Sequence, residues 1–422
     1  MLFYVYRVLI YLLLPVILLM QVLKGWRNKA YWSHWGERFG FQEFPDAPYE
    51  MWMHAVSVGE VRAVVPLLQR LANSMQEEGR ILLTVTTPTG RKTAESLLGN
   101  SVDISYLPYD IGFCVRRFLR SARPKQAVVV ETEVWPNLVK NTKRLNIPLT
   151  YINVRLSERS FRSYLKVQSL SQDIFNTIDV IAAQGAADAN RLIKLGVDKT
   201  KIVITGSLKF DVNMPASLKE SAHALRDLLA NHRTVWICGS TRDGEEGQLI
   251  QSYKALKKTH SDLLLVLVPR HPERFDSVAR QCEGFGLNVV KRTENPVELD
   301  ESVDVYLGNT MGELGLLYAA SDIAFVGGSL VPFGGQNILE PCALGIPVLF
   351  GPNMFNFEEI SQLTIDAKAG ICVQNEYQLQ DHISQLIQHP NQRDQMGRNG
   401  LALIEQHKGA LDRVEALLTA RR

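Results

Sequence analysis

A chain of 422 residues is longer than one compact core usually holds and suits two domains plus an appendage, at roughly 100–200 residues per domain. Its 46% hydrophobic and 21% charged residues are those of an ordinary globular protein, which excludes a disordered or collagenous chain, and a net charge of +2 gives no reason to expect a nucleic-acid partner. The five cysteines are odd in number, widely spaced and free of Cys-x-x-Cys pairs, which argues against disulfides and zinc and for a reducing compartment.

From Val8 to Leu23 the chain carries no charge, and Arg7 is the one charged residue between Met1 and Leu23. That length approaches the ~20 apolar residues needed to cross a hydrocarbon layer. Lys24, Arg27 and Lys29 follow at once among Trp26 and Trp32, the usual marking of a helix end at a cytoplasmic membrane face. A membrane-anchor helix is therefore expected over 1–24, with the body of the protein inside the cell. A cleaved signal peptide fits less well, because no small-x-small site follows and the flanking charge is on the wrong side. Pro15 and Arg7 leave open whether the helix spans the bilayer or lies in one leaflet.

Beyond the anchor, short β-rich apolar runs alternate with helical patterns, which predicts parallel sheets covered on both faces by helices. A first series has strands at 51–56, 81–87, 103–107, 127–131, 148–154, 180–183 and 201–206. A polar, helix-like stretch from Pro215 to Asn231 separates it from a second series at 234–240, 263–270, 287–291, 303–308, 323–329 and 347–351. The expected fold is thus α/β, with two Rossmann-like domains facing a central cleft. They would occupy 25–208 and 209–422, and the last helical pattern, Asn391 to Ala420, would pack back on the first domain. In such sheets ligands bind beyond the carboxyl ends of the strands, so residues just after strands are the candidates for chemistry.

No Gly-x-Gly-x-x-Gly follows a candidate strand and no P-loop motif occurs, which weakens dinucleotide and nucleoside-triphosphate readings. No Asp-x-Asp pair is present, so a donor site without a metal is expected. Glu60 falls at a strand-to-helix turn, Ser57-Val58-Gly59-Glu60. There the helix dipole favours a carboxylate, which should stay ionised unless burial offsets the effect. It is either a general base or a well-placed first-turn acid. His54, within the strand, reads as a core or supporting histidine. Glu131-Thr132-Glu133-Val134-Trp135-Pro136 is a second such junction, and Lys209 follows the last strand of the first series, where a cation could meet a phosphate or a sugar carboxylate. Arg155 and Arg159 are further cations at a strand end.

In the second series Pro269 and Arg270 follow an apolar strand, and an arginine there can hold a phosphate by paired hydrogen bonds. Asn309 to Leu314, with Thr310, Met311 and Gly312, is expected to open a helix whose free backbone N–H groups suit an anion. Gly327-Gly328-Ser329 and Gly334-Gly335 are expected to let the backbone approach a ligand, and Asn337, Ile338, Leu339 and Glu340 open another helix, with Glu340 spaced to reach ribose hydroxyls. Arg116, Arg117, Arg120, Arg123 and Lys125 form either a solvated basic face or a surface for anionic lipid.

Several of these segments, in this order, resemble those of bacterial 3-deoxy-D-manno-octulosonic acid (Kdo) transferases. They are His54-Ala55-Val56-Ser57-Val58-Gly59-Glu60, Glu131 to Asn137, Thr205 to Asp211 and Pro269-Arg270-His271-Pro272-Glu273-Arg274. The likeness covers essentially the whole chain, from Trp35-Gly36-Glu37-Arg38 to Phe355-Asn356-Phe357. It implies the GT-B architecture and an inverting, metal-independent transfer of Kdo from CMP-Kdo to the lipid A precursor, lipid IVA, at the cytoplasmic side of the inner membrane. No cofactor is implied. By motif, Glu60 would be the general base, Glu131 and Lys209 would stabilise the transition state, and Pro269, Arg270, Thr310 to Gly312 and Asn337 to Glu340 would bind CMP. Ile338 and Pro341 stand where relatives vary, and the acid Glu340 is kept. Another GT-B enzyme using a UDP-sugar, or a tethered nucleotide-binding protein without catalysis, are the competing readings.

Overall fold

A computed structural model describes residues 2–75, 79–212, 217–229 and 232–420, so both ends of the expected linker, Pro215 and Asn231, lie outside the described residues. The chain divides into two compact units, Met1–Asp211 with Lys408–Arg422, and Val212–His407.

The first unit holds β1 (Met51–His54), β2 (Ile81–Val85), β3 (Asp103–Tyr106), β4 (Ala127–Val130), β5 (Leu149–Val154), β6 (Val180–Ala183) and β7 (Ile202–Ile204). They form one parallel sheet in the order β3-β2-β1-β4-β5-β6-β7. Side chains alternate across a strand, so each strand of a doubly covered sheet feeds two cores. Along β1, Met51 and Met53 join Val61, Val64 and Leu68 of the helix Val58–Met75 on one face, while Trp52 joins Phe118 and Leu138 on the other.

The second unit holds β8 (Val235–Thr241), β9 (Leu264–Pro269), β10 (Val289–Lys291), β11 (Val305–Leu307), β12 (Ile323–Val326), β13 (Val348–Phe350) and β14 (Gly370–Cys372). Its parallel sheet runs β10-β11-β9-β8-β12-β13-β14. In the first sheet the strand order reverses between β1 and β4; in the second β11 is inserted between β9 and β10, and the order reverses between β8 and β12. That reversal leaves a crevice at the carboxyl ends of two neighbouring strands.

Two features depart from the sequence expectation. β14 adds a strand to the second sheet beyond the six expected. The segment from Asn391 to Ala420 is not one helix: Pro390–His407 ends at Lys408, Gly409 takes a left-handed φ of 87°, and a separate helix follows at Ala410–Thr419. Glycine supplies that conformation at no steric cost. The Asp211 carboxylate accepts the backbone N–H groups of Gly409 and Leu411, both at 2.6 Å, and Arg413 donates to the Thr205 carbonyl at 2.8 Å. The last helix is thereby held in the first unit, where Val414 and Leu418 enter the core beside Leu68.

Replacing Asp211 by alanine strands two backbone donors and should destabilise the first unit by about 1–3 kcal/mol. Denaturant unfolding, together with the rate at which protease removes the last helix, reads that loss; unchanged values in both would contradict the clasp.

Candidate functional site

In the first unit the turn after β1 is locked by reciprocal hydrogen bonds. Glu60 Oε2 accepts the Val56 N–H at 2.7 Å, Glu60 Oε1 accepts the Ser57 hydroxyl at 2.9 Å, and the Glu60 N–H donates to Ser57 Oγ at 3.4 Å. The Ser-x-x-Glu pattern produces this form of helix cap. Glu60 is therefore a first-turn acid as well as a candidate base, and each carboxylate oxygen keeps a second lone pair.

The electrostatics differ from the sequence expectation. Helix dipole and hydrogen bonds favour the ionised form, yet burial outweighs them, and Glu131 and Glu133 add to it, pushing the Glu60 carboxyl from 4.5 up to about 7. Burial and Glu131 also raise Glu133. Glu60, Glu131 and Glu133 do not come together as a metal-binding group. His54 is fully buried with Nδ1 3.0 Å from the Thr84 carbonyl oxygen and hydroxyl, and burial lowers it to about 4. A neutral, supporting histidine results.

Glu131 directly follows β4, the neighbour of β1 across the reversal, and its φ of 61° is left-handed for a residue with a side chain. Its N–H donates to the Ile152 carbonyl at 2.9 Å. Asn153, at the end of β5, has a φ of 55° beside an irregularity in the β5–β6 pairing, and its Oδ1 accepts the Leu208 N–H at 3.1 Å. Such conformations cost of order 1–3 kcal/mol each and collect where geometry serves function. The Asn153 contact fixes the turn Leu208–Phe210, and Lys209 Nζ lies 3.6 Å from Glu131 Oε1. Glu60, Glu131 and Lys209 thus gather at one crevice. Arg155 is joined to this edge through its carbonyl, which accepts the Thr132 hydroxyl, whereas Arg159 is exposed on the helix Glu158–Leu165.

In the second unit, Pro269 ends β9 and Arg270 follows it, while Thr310 to Gly312 and Asn337 to Glu340 come after β11 and β12; these strands lie in one stretch of the sheet. Thr310 donates its hydroxyl to Glu313 Oε2 at 2.5 Å, and Arg292 grips Glu313 at 3.1 and 3.2 Å. Met311 is exposed, and Gly312 has a φ of 87°. The helix expected there begins only at Leu314 and has six residues. Asn337 donates to Glu340 Oε1 at 3.2 Å and accepts the Leu339 N–H at 3.1 Å. Ile338 and Leu339 are buried, so the backbone alone can meet a ligand there.

The glycine pairs serve another purpose than expected. A Cβ at Gly327 would lie 2.6 Å from Thr241 Cα, and one at Gly335 would lie 2.2 Å from Met354 Sδ. The N–H groups of Gly328, Ser329 and Leu330 all donate to the buried Glu245 carboxylate, at 2.7, 3.2 and 3.1 Å. These glycines permit loop-to-loop packing, and the anion nest they create is filled by the chain's own acid. Sequence reasoning also passed over Arg242. It follows β8 after Ser240, whose φ is 58°, meets His271 Nε2, and lies over the Phe333 ring at 5.1 Å. The run Gly239-Ser240-Thr241-Arg242 at a strand end was the available signal.

A family profile described as 3-Deoxy-D-manno-octulosonic-acid transferase (kdotransferase) matches residues 33–212, and one described as Glycosyl transferases group 1 matches residues 247–402. The chain is 37% identical to a 3-deoxy-D-manno-octulosonic acid transferase of Haemophilus influenzae, over 98% of this chain and 97% of that one. It is 36% identical to the transferase of the same name from Bordetella pertussis, over 86% and 85%. In fold it is similar to a UDP-GlcNAc 2-epimerase from Neisseria meningitidis, with a TM-score of 0.59 at 14% identity, covering 88% of this chain and 100% of that one.

The carboxyl carbon of Glu60 should titrate by NMR with a midpoint near 7, and Glu131→Gln should lower that midpoint by removing a like charge. Because folding raises this pKa from 4.5, the associated stability is complete below about 4.5 and is lost as pH rises through about 7. Glu60→Gln should flatten that decline; a midpoint near 4.5 would contradict the burial argument.

Proposed function

The chain belongs to the 3-deoxy-D-manno-octulosonic acid transferase family, and on that premise we propose an inverting, metal-independent transfer of Kdo from CMP-Kdo to a hydroxyl of lipid IVA, the lipid A precursor, at the cytoplasmic face of the inner membrane. The observation that carries the reading is the Glu60 carboxyl, buried at the mouth of β1 with a pKa of about 7. A base matched to neutral pH is near the optimum for both holding and accepting a proton.

In the reaction the acceptor hydroxyl oxygen attacks the anomeric carbon of Kdo from the side opposite CMP. A carbon–oxygen bond forms there as the bond from that carbon to the CMP phosphate oxygen breaks. CMP leaves with the bonding electrons, and the hydroxyl proton passes to Glu60. Lys209, held near Glu131, offers positive charge to the carboxylate of Kdo or the departing phosphate, while Glu131 sets the position of that cation. In the second unit, Arg270 would hold the phosphate of CMP, the backbone of Thr310 to Gly312 would approach the nucleotide, and Glu340, oriented by Asn337, would accept a ribose hydroxyl. The leaving group is already activated by its phosphate, so the chemistry asks for no further cofactor. The apolar helix Leu2–Arg27 would keep the enzyme where its lipid acceptor resides.

Glu60→Gln should lower turnover by about 10²–10⁴-fold while CMP binding by calorimetry stays unchanged, and unchanged turnover would remove Glu60 as the base. Supplied with lipid acceptor, the protein should form product from CMP-Kdo and not from UDP-sugars; transfer from UDP-sugars alone would overturn the donor assignment.

A further inference from the structure

The apolar N-terminal helix has two unlike sides. Phe3, Tyr6, Ile10, Leu14, Ile17 and Gln21 recur at helical spacing and are half-buried, and Arg7, the one charge before Lys24, lies among them. The opposite side, including Val5, Leu12 and Leu19, is exposed, with Leu12 at 68%. The covered side is tied to the first unit at both ends. The Tyr6 hydroxyl donates to Asp110 Oδ2 at 2.7 Å, and this buried carboxylate also caps the helix Pro136–Arg144 through Asn137 and Leu138 at 2.9 and 2.7 Å. Phe3 packs on the core beneath, Gln21 lies beside Tyr109, and Gly25 lies so close to the Trp32 indole that a Cβ would fall 1.6 Å from its Nε1.

Tyr6 and Gly25 are roughly 28 Å apart along a helix, nearly the ~30 Å hydrocarbon thickness. A span would place one of these two ends on the far side of the membrane. Both ends instead grip the same globular unit. From this we infer that the helix does not cross the bilayer: it lies along the first unit as a half-buried strut whose outer face enters the cytoplasmic leaflet alone. This rests on the membrane reading above and specifies its geometry.

Segments next to these contacts, in the chain or in packing, carry the same two ingredients, apolar side chains and cations. The helix Gly112–Ala122, which starts two residues after Asp110, exposes Phe113, Arg117 and Arg120, with Arg117 3.9 Å over the exposed Phe41 ring. The helix Gln168–Phe175 packs against the strut and against Glu158–Leu165. That last helix buries no residue and presents Arg159 and Arg162, with Leu165, Lys166 and Val167 exposed at its end. Lysine and arginine around a shallow apolar face suit anionic head groups over an acyl layer, so the occupant is a lipid leaflet rather than a second protein chain.

The test uses the full chain with one epitope tag at each terminus, in spheroplasts and in inverted membrane vesicles. External protease should remove both tags in inverted vesicles and neither in spheroplasts; removal of the N-terminal tag in spheroplasts would overturn the inference. Purified protein should bind vesicles of phosphatidylethanolamine and phosphatidylglycerol, and the double variant Leu12→Lys, Leu19→Lys should bind about tenfold or more weakly. Unchanged binding by that variant, or a wild-type protein that buries the face by dimerising and ignores vesicles, would also overturn it. Kdo transfer to detergent-dispersed acceptor is measured in parallel, so that a failed topology is distinguishable from a failed transferase reading.

Discussion

The desolvation of one carboxylate sets the character of the first unit's site. Glu60 must terminate a helix, which requires an acceptor, and must do so where little water reaches it. The Val56 N–H, the Ser57 hydroxyl and the helix dipole all favour the anion, but burial together with the charges of Glu131 and Glu133 prevails. An acid at a solvated helix start would be permanently ionised and a poor proton acceptor. Here the same cap becomes a group that exchanges a proton near neutrality.

The sheet supplies the rest. Reversal of strand order between β1 and β4 places the Glu60 and Glu131 turns side by side, and the left-handed backbones of Glu131 and Asn153 aim the β4 and β5 ends. Asn153 then fixes the turn that carries Lys209. The second sheet repeats the plan with a left-handed Ser240 at its own reversal, but there Glu245 fills the glycine-loop nest. In the proposed reading, the CMP phosphate is therefore met there by side chains such as Arg270 and by the backbone after β11.

The sheets were legible because strands covered on both faces read as unbroken Val, Ile and Leu runs. β14 escaped notice because it has three residues, one of them Gly370, whose absent side chain leaves room for Thr364 and Val348. The break at Gly409 was visible as a glycine, but a helical pattern on both sides concealed it. Strand-end logic singled out Glu60, Glu131, Lys209, Arg270 and Glu340 as residues to interrogate. It could not give the direction of the Glu60 shift, since that depends on packing from elements far along the chain. The glycine pairs were misread for the same reason: proximity to Thr241 and Met354 is tertiary. Hydropathy marked the N-terminal helix as apolar and was silent on Tyr6 meeting Asp110, 104 residues later.

In the proposed reaction Glu60 must lose its proton before it can take one from the acceptor. The pH dependence of kcat/KM for Kdo transfer to detergent-dispersed acceptor tests this requirement most directly, because that quantity reports the free enzyme. The wild-type rate should rise with pH through an apparent pKa near 7, and the rise should be absent in Glu60→Gln. A flat wild-type profile from about pH 5.5 to 8.5, or the same rise in the Glu60→Gln variant, would contradict it.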